Sequence, residues 1–264
     1  MLCGFTAVAV VLAYAGIAGC GKTEPESAGG GSQTKELLLY CGAGIRPPVD
    51  ELVETFRQQY GINIIIDYAG SEVLLSKIKL TRRGDLYMPG DKYYAEQAAR
   101  EGMILSQRSV CYFVPTILVQ KGNPKKIQGL WDLLRPGLKL GLGDANICAV
   151  GRQARQIFAK NKIAWEDVEK NLVFQSLTVN GLGMQIQAGS LDAVIVWDAI
   201  AQYYNEHGEQ VAIAAQNNVI STVDICILAF TQQRLLAENF VQLAVSERGQ
   251  AIFKKHRYTI EPPN

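Results

Sequence analysis

The chain has 264 residues, 48% of them hydrophobic and 19% charged, with 26 basic against 25 acidic side chains and a formal net charge of +1. That balance excludes the basic footprint of a nucleic-acid binder, and 25 Gly with 9 Pro fit a globular protein of one large domain or two lobes, not a disordered or collagen-like chain. Only two histidines occur, His207 and His256, both expected at the surface, so histidine catalysis and zinc ligation have few candidates.

Residues 1–19 form one uncharged apolar stretch, followed by a polar, glycine-rich segment to residue 36. The pattern reads as a signal peptide. Ile17, Ala18 and Gly19 ahead of Cys20 resemble the lipobox of bacterial lipoproteins, which implies acylation of Cys20, anchoring to a membrane and a flexible tether over 20–36. The same stretch holds GIAGCGKT at 16–23, which fits a phosphate-loop pattern, and AVIVWD at 193–198 mimics its partner strand. A phosphate loop needs Lys22 and Thr23 to open a helix, and Pro25 with Gly29, Gly30 and Gly31 prevents one. Beyond Cys3 and Cys20, the widely spaced Cys41, Cys111, Cys148 and Cys226 form no CxxC pair and so no zinc or thioredoxin-like site. A Cys111–Cys226 disulfide is one expectation and free buried thiols the other.

From residue 37 strands alternate with helices: a strand at 37–41, an amphipathic helix at 48–60 with Val49, Leu52, Val53, Phe56 and Tyr60 on one face, and a strand at 62–68. A helix at 71–80, a short strand at 85–88, a helix at 91–101 and one long apolar strand at 110–120 follow. A second α/β lobe then reads as a short helix at 129–134, a strand at 138–143, helices at 150–161 and 180–188, and a buried strand at 192–197. Segments at 210–215, 223–230 and two helices over 232–256 are expected to return and complete the first lobe.

In such sheets ligands lie beyond the carboxyl ends of strands, at helix starts. Four junctions are candidates: CGAGIRPP at 41–48, with Gly42, Ala43 and Gly44; YAGSE at 68–72, with Gly70 and with Ser71 as a helix N-cap; GDANICAVGR at 143–152, with Cys148, Ala149 and Val150; and Trp197 with Asp198. Ordinary turn and capping chemistry explains each of them singly. Arg46 and Arg152, each in the first turn of a helix and opposed to its dipole, point to a nearby anion. Glu72 and Asp198 at the same ends oppose one, so the residues alone leave the ligand's sign open.

The order of CGAGI, YGINIIIDYAGSEVLLSKI, GDLYMPGD at 84–91, VQKGNP at 119–124, GLWDLLRPGLKLGLGDANICAVGRQA at 129–154 and LDAVIVWDA resembles the periplasmic molybdate-binding proteins of ATP-driven transporters, from about Leu37 to Ile260. The resemblance implies a two-lobed type II fold, each lobe a mixed or parallel sheet flanked by helices, with lobe one at 37–112 and 203–264, lobe two at 113–202 and hinges near 111–116 and 200–205. It implies a monomeric, exported receptor that performs no chemistry and needs no cofactor or resident metal. Such a receptor closes on a small oxyanion, molybdate or tungstate first, and presents it to a transporter permease subunit. Ser71 and the amides around Gly44 and Cys148 then hold the ion without counter-charges, and Asp85 and Asp91 are caps, not ligands. This chain departs from the family's pattern at Gly44, where a serine is usual, and at Trp197, where a tyrosine is usual. A different oxyanion, a soft metal species at Cys41 and Cys148, and a sensor role beside a membrane kinase remain alternatives.

Overall fold

The structure, a computed structural model, describes residues 36–263. The apolar stretch, Cys20 and the tether up to residue 35 lie outside the described residues. Among the described residues no helix is long and apolar enough to cross a membrane.

Two five-stranded sheets organise the chain. β1 (Glu36–Gly42), β2 (Asn63–Ala69) and β3 (Leu86–Met88) pair in parallel, and β10 (Ser221–Leu228) runs antiparallel to both β3 and β4 (Ile104–Phe113), giving the order β2-β1-β3-β10-β4. The second sheet has the order β7-β6-β8-β5-β9, from β5 (Pro115–Gln120), β6 (Leu140–Gly143), β7 (Leu172–Ser176), β8 (Ala193–Trp197) and β9 (Gly208–Ala212), with β6, β7 and β8 parallel and β5 antiparallel to β8 and β9. Parallel neighbours need crossovers, and helices supply them. These are α1 (Arg46–Tyr60), α2 (Ser71–Thr81) and α3 (Lys92–Arg100) for the first sheet, and α4 (Ala149–Lys160), α5 (Trp165–Glu169), α6 (Val179–Gln187) and α7 (Asp198–Tyr203) for the second. α8 (Arg234–Val245) and α9 (Glu247–Lys255) pack back on the first.

α1 shows why these segments fold as they do. Its prolines occupy the first turn, where no amide is needed, Gly61 ends it in the left-handed region at φ 67°, and Val49, Leu52 and Phe56 recur at helical spacing and are fully buried. Phe56 meets Phe240 of α8 edge to face at 5.3 Å, which seats the return helices on the first sheet.

Three expectations are corrected. The single strand at 110–120 is two strands in different sheets: Val114 separates β4 from β5, and its carbonyl accepts from the Asp198 amide at 2.9 Å. The segment at 210–215 does not return to the first lobe, because β9 pairs with β5 from Thr116↔Ala212 to Gln120↔Gly208, so the return crossing follows residue 212 and not 200–205. Cys111 and Cys226 do not pair; both are free and buried, with Cys111 opposite Val223 and Cys226 opposite Gln107, too far apart along β10 to bridge. α5 and β7, unread in the sequence, are a short helix and an edge strand with only half of its side chains sheltered.

Candidate functional site

One cavity lies where the strand ends of the two sheets face each other. The first sheet contributes Gly42 at the end of β1 with Ala43 and Gly44 after it, Ala69 at the end of β2 with Gly70 and Ser71 after it, Gly90 after β3, and Phe113 at the end of β4. The second contributes Cys148, Ala149 and Val150 after β6, Thr178 and Val179 after β7, and Trp197 at the end of β8. The space admits the centre of a water-sized sphere over about 20 Å³, little more than the roughly 10–15 Å³ that one water needs. The cleft is therefore nearly shut around room for a very small group. Across it the Glu72 amide donates to the Ile147 carbonyl at 3.4 Å, and the Asn180 side-chain amide donates to the Ala43 carbonyl at 3.3 Å.

Every residue expected at the site lines this cavity except Asp198. The Asp198 carboxylate turns to its own helix start, accepting from the Ala199 amide at 2.7 Å and from the Thr259 hydroxyl at 3.1 Å. Burial raises its pKa above the ordinary carboxylate value, outweighing those hydrogen bonds. A carboxylate with a raised folded-state pKa opposes folding once pH exceeds the unfolded value of about 3.9, and fully so above the folded value. Asp198→Asn is therefore expected to raise Tm at pH 7, with the gain vanishing as pH falls toward about 3, read by calorimetry across that range.

Ser71 is not an N-cap. Gly70 holds that position and Ser71 is the first residue of α2, leaving its Oγ to accept from the Gly90 amide at 3.0 Å and its proton free for the cavity. Arg46 and Arg152 also miss the cavity: Arg46 lies over the Tyr68 ring at 4.3 Å, and Arg152 pairs with Asp91 at 3.0 Å. Glu72 accepts from Ser76 on its own helix. Asp91 caps α3, accepting from the Tyr93 amide at 2.9 Å, and Asp85 accepts from the Leu38 amide at 2.8 Å. His256 is half-buried, not at the surface, with Nε2 2.8 Å from Glu51.

The lining carries no carboxylate, lysine or arginine. Five of its backbone carbonyls are engaged elsewhere: Gly44's by the Tyr258 hydroxyl, Ala43's by Asn180, Ser71's by the Tyr87 hydroxyl, and those of Gly70 and Cys148 by the following helical turns. α2, α4 and α6 all begin at the cavity, so three helix starts turn their positive ends toward it, although the amides of Glu72, Val150, Gly151 and Gly181 already have partners in the Ile147 carbonyl, the Cys148 sulfur and the Thr178 hydroxyl. The Trp197 indole adds a donor. Its Nε1 lies 3.4 Å from where a Cβ on Gly44 would stand and finds no acceptor among the described residues, while the Phe113 ring stacks on it at 4.4 Å and 21°. A Cβ on Gly44 would come within 2.8 Å of Val179 Cγ1 and 3.3 Å of Trp197 Cδ1, so a larger residue there has to displace the facing side chains.

The Cys148 sulfur takes the amides of Gly151 and Val150, and burial nonetheless pushes its thiol up to about 11. Cys41 is further buried, faces the Gly42 carbonyl at 3.7 Å and does not line the cavity. Neutral thiols are poor metal ligands, and among the described residues no three His, Cys, Asp or Glu side chains are grouped to hold a metal ion. Ala69 and Gly90 lie within the YAGSE and GDLYMPGD segments expected at the cleft, whereas Phe113, Thr178 and Val179 carry no expectation from the sequence. Thr178 carried a signal, a capping residue before a helix whose hydroxyl accepts from the Gly181 amide at 3.5 Å, but only a recognised β7 would have made it a strand-to-helix junction.

The family model described as bacterial extracellular solute-binding protein matches residues 37–259. The molybdate-binding protein ModA of Mycobacterium bovis is 24% identical over 254 residues, 94% of each chain. A Haemophilus influenzae relative is 26% identical over 164 residues, which are 62% of this chain and 66% of that one. Among solved structures, the Azotobacter vinelandii periplasmic molybdate-binding protein superposes with a TM-score of 0.74 at 16% identity, over 86% of this chain and all of that one. The chain thus belongs to the bacterial extracellular solute-binding proteins, on the two-lobed type II fold of the periplasmic molybdate-binding proteins, and is a binding protein, not an enzyme.

Proposed function

We propose that this protein is a lipid-anchored extracytoplasmic receptor that captures a fully deprotonated tetrahedral oxyanion, molybdate or tungstate, between its lobes and delivers it to a transporter permease. The observation that carries the reading is a lining without any carboxylate, lysine or arginine on which three helix starts, the Ser71 hydroxyl and the Trp197 indole converge, with the carbonyls of Ala43, Gly44 and Ser71 occupied elsewhere. The ion's charge is met by oriented dipoles in place of counter-ions, which suits a dianion that must also be released. Closure is driven by ligand contacts made to both lobes at once. The lining offers no carboxylate to take the proton of monohydrogen phosphate, a cost of about 1–3 kcal/mol or roughly 10- to 100-fold.

Thermal unfolding of the purified protein against molybdate, tungstate, sulfate, phosphate and soft divalent metals tests this. A ligand at 100 times its Kd adds about 2.7 kcal/mol and is expected to raise Tm by roughly 5–10 °C. A shift with molybdate or tungstate, and none with phosphate, supports the reading; no shift with any oxyanion overturns it. Trp197→Phe keeps the stacked ring and removes one donor to a charged group, about 1.5–3 kcal/mol. Titration calorimetry of that variant is expected to show 10- to 100-fold weaker molybdate binding.

A further inference from the structure

A buried carboxylate outside the cavity joins the two lobes. Asp91 is 2% exposed and divides its oxygens between them. Oδ1 accepts from the Tyr93 amide and the Ser221 hydroxyl, both at 2.9 Å and both on the first sheet's side. Oδ2 accepts from Arg152 Nη1 and Gln153 Nε2, both at 3.0 Å and both on α4, which packs on the second sheet. The Arg152 guanidinium also lies 3.5 Å above the Tyr93 ring, a second contact between the same two sides. Gln153 Oε1 is buried with no partner, so this side chain is held for the donor it gives Asp91 at the cost of its own acceptor.

We propose that Asp91 with Arg152 and Gln153 is an interlobe latch: a positioning device that favours the closed form before any ligand enters and slows ligand release afterwards. The inference rests on the closure reading given above. Separating the lobes strips both partners from Oδ2 and leaves a sheltered carboxylate half-satisfied, whereas Oδ1 keeps its partners in either form. Closed and open states therefore differ by a charge-assisted pair that the ligand does not touch. Since apparent affinity scales with the closed fraction, the latch sets how much of the intrinsic affinity is realised.

Asp91→Asn keeps an acceptor for the Tyr93 amide and removes the charge, and Arg152→Met keeps a stem over Tyr93 and removes the partner. Stopped-flow molybdate binding is expected to show koff raised about 10-fold in each variant, kon within threefold of the parent, and the double variant no worse than Asp91→Asn. In ligand-free protein, spin labels on Leu80→Cys of α2 and Val173→Cys of β7 are expected to report a longer distance in both variants than in the parent. An unchanged ligand-free distance overturns the latch, whether or not koff or Tm changes. The label distances need no ligand, so a protein that binds no oxyanion at all would sink the functional reading and still decide the latch. If one variant fails to fold by circular dichroism, the other carries the same comparison.

Discussion

Gly44→Ser is expected to weaken oxyanion binding about 10- to 100-fold, although it adds a hydroxyl donor at the cavity. The new Cβ would meet Val179 Cγ1 at 2.8 Å and Trp197 Cδ1 at 3.3 Å, atoms of the opposite lobe. Overpacking of this kind costs about 1–3 kcal/mol, and here it falls on the closed form alone, because open lobes do not bring Val179 to Gly44. The loss should therefore appear in the Kd measured by calorimetry with little change in the Tm of ligand-free protein. Adding Val179→Ala removes the nearest atom and is expected to recover most of the affinity, a non-additive pair that unrelated sites would not show. Equal or tighter binding by Gly44→Ser alone would mean that the indole is not positioned against this loop.

Asp85→Ala is expected to be the most damaging single change to the fold outside the apolar core. Asp85 Oδ2 accepts from the Leu38 amide of β1 at 2.8 Å, and Oδ1 accepts from the Thr231 hydroxyl, which in turn accepts from the Gln233 amide at 3.1 Å before α8. One carboxylate thus ties β1, an interior strand of the first sheet, to the start of the returning helices. Each hydrogen bond to a charged group is worth about 1.5–3 kcal/mol, so their joint loss is expected to cost about 3–6 kcal/mol in urea unfolding. Asp85→Asn retains an acceptor and should lose less than half of that. Molybdate affinity at temperatures where the variant is folded should be unchanged, since Asp85 does not line the cavity.

The sequence carried the strand ends and most of the cavity lining, because those features are local. Glycines after β1 and β2, the small residues before α4 and the Ser71 hydroxyl mark backbone turns whose chemistry is decided within a few residues. Helical spacing in α1, the leucine run of β1 and the β-branched runs of β2 and β8 are legible for the same reason.

What the tertiary structure alone decided is partnership. Period-two alternation does not say which strand lies alongside, so the break at Val114 and the pairing of β9 with β5 could not be read from the segments themselves. A charged residue beside a helix start carries no record of what faces it: Arg152 looked like a cation for an anionic ligand and is spent on Asp91, while Asp198 looked like a cleft residue and turns to Thr259. The sign of the site was undecided in the sequence because it depends on where the carbonyls of Ala43, Gly44 and Ser71 go. Their acceptors are taken by Asn180, Tyr258 and Tyr87, residues between 16 and 214 positions away in the chain, and only packing brings those donors within reach.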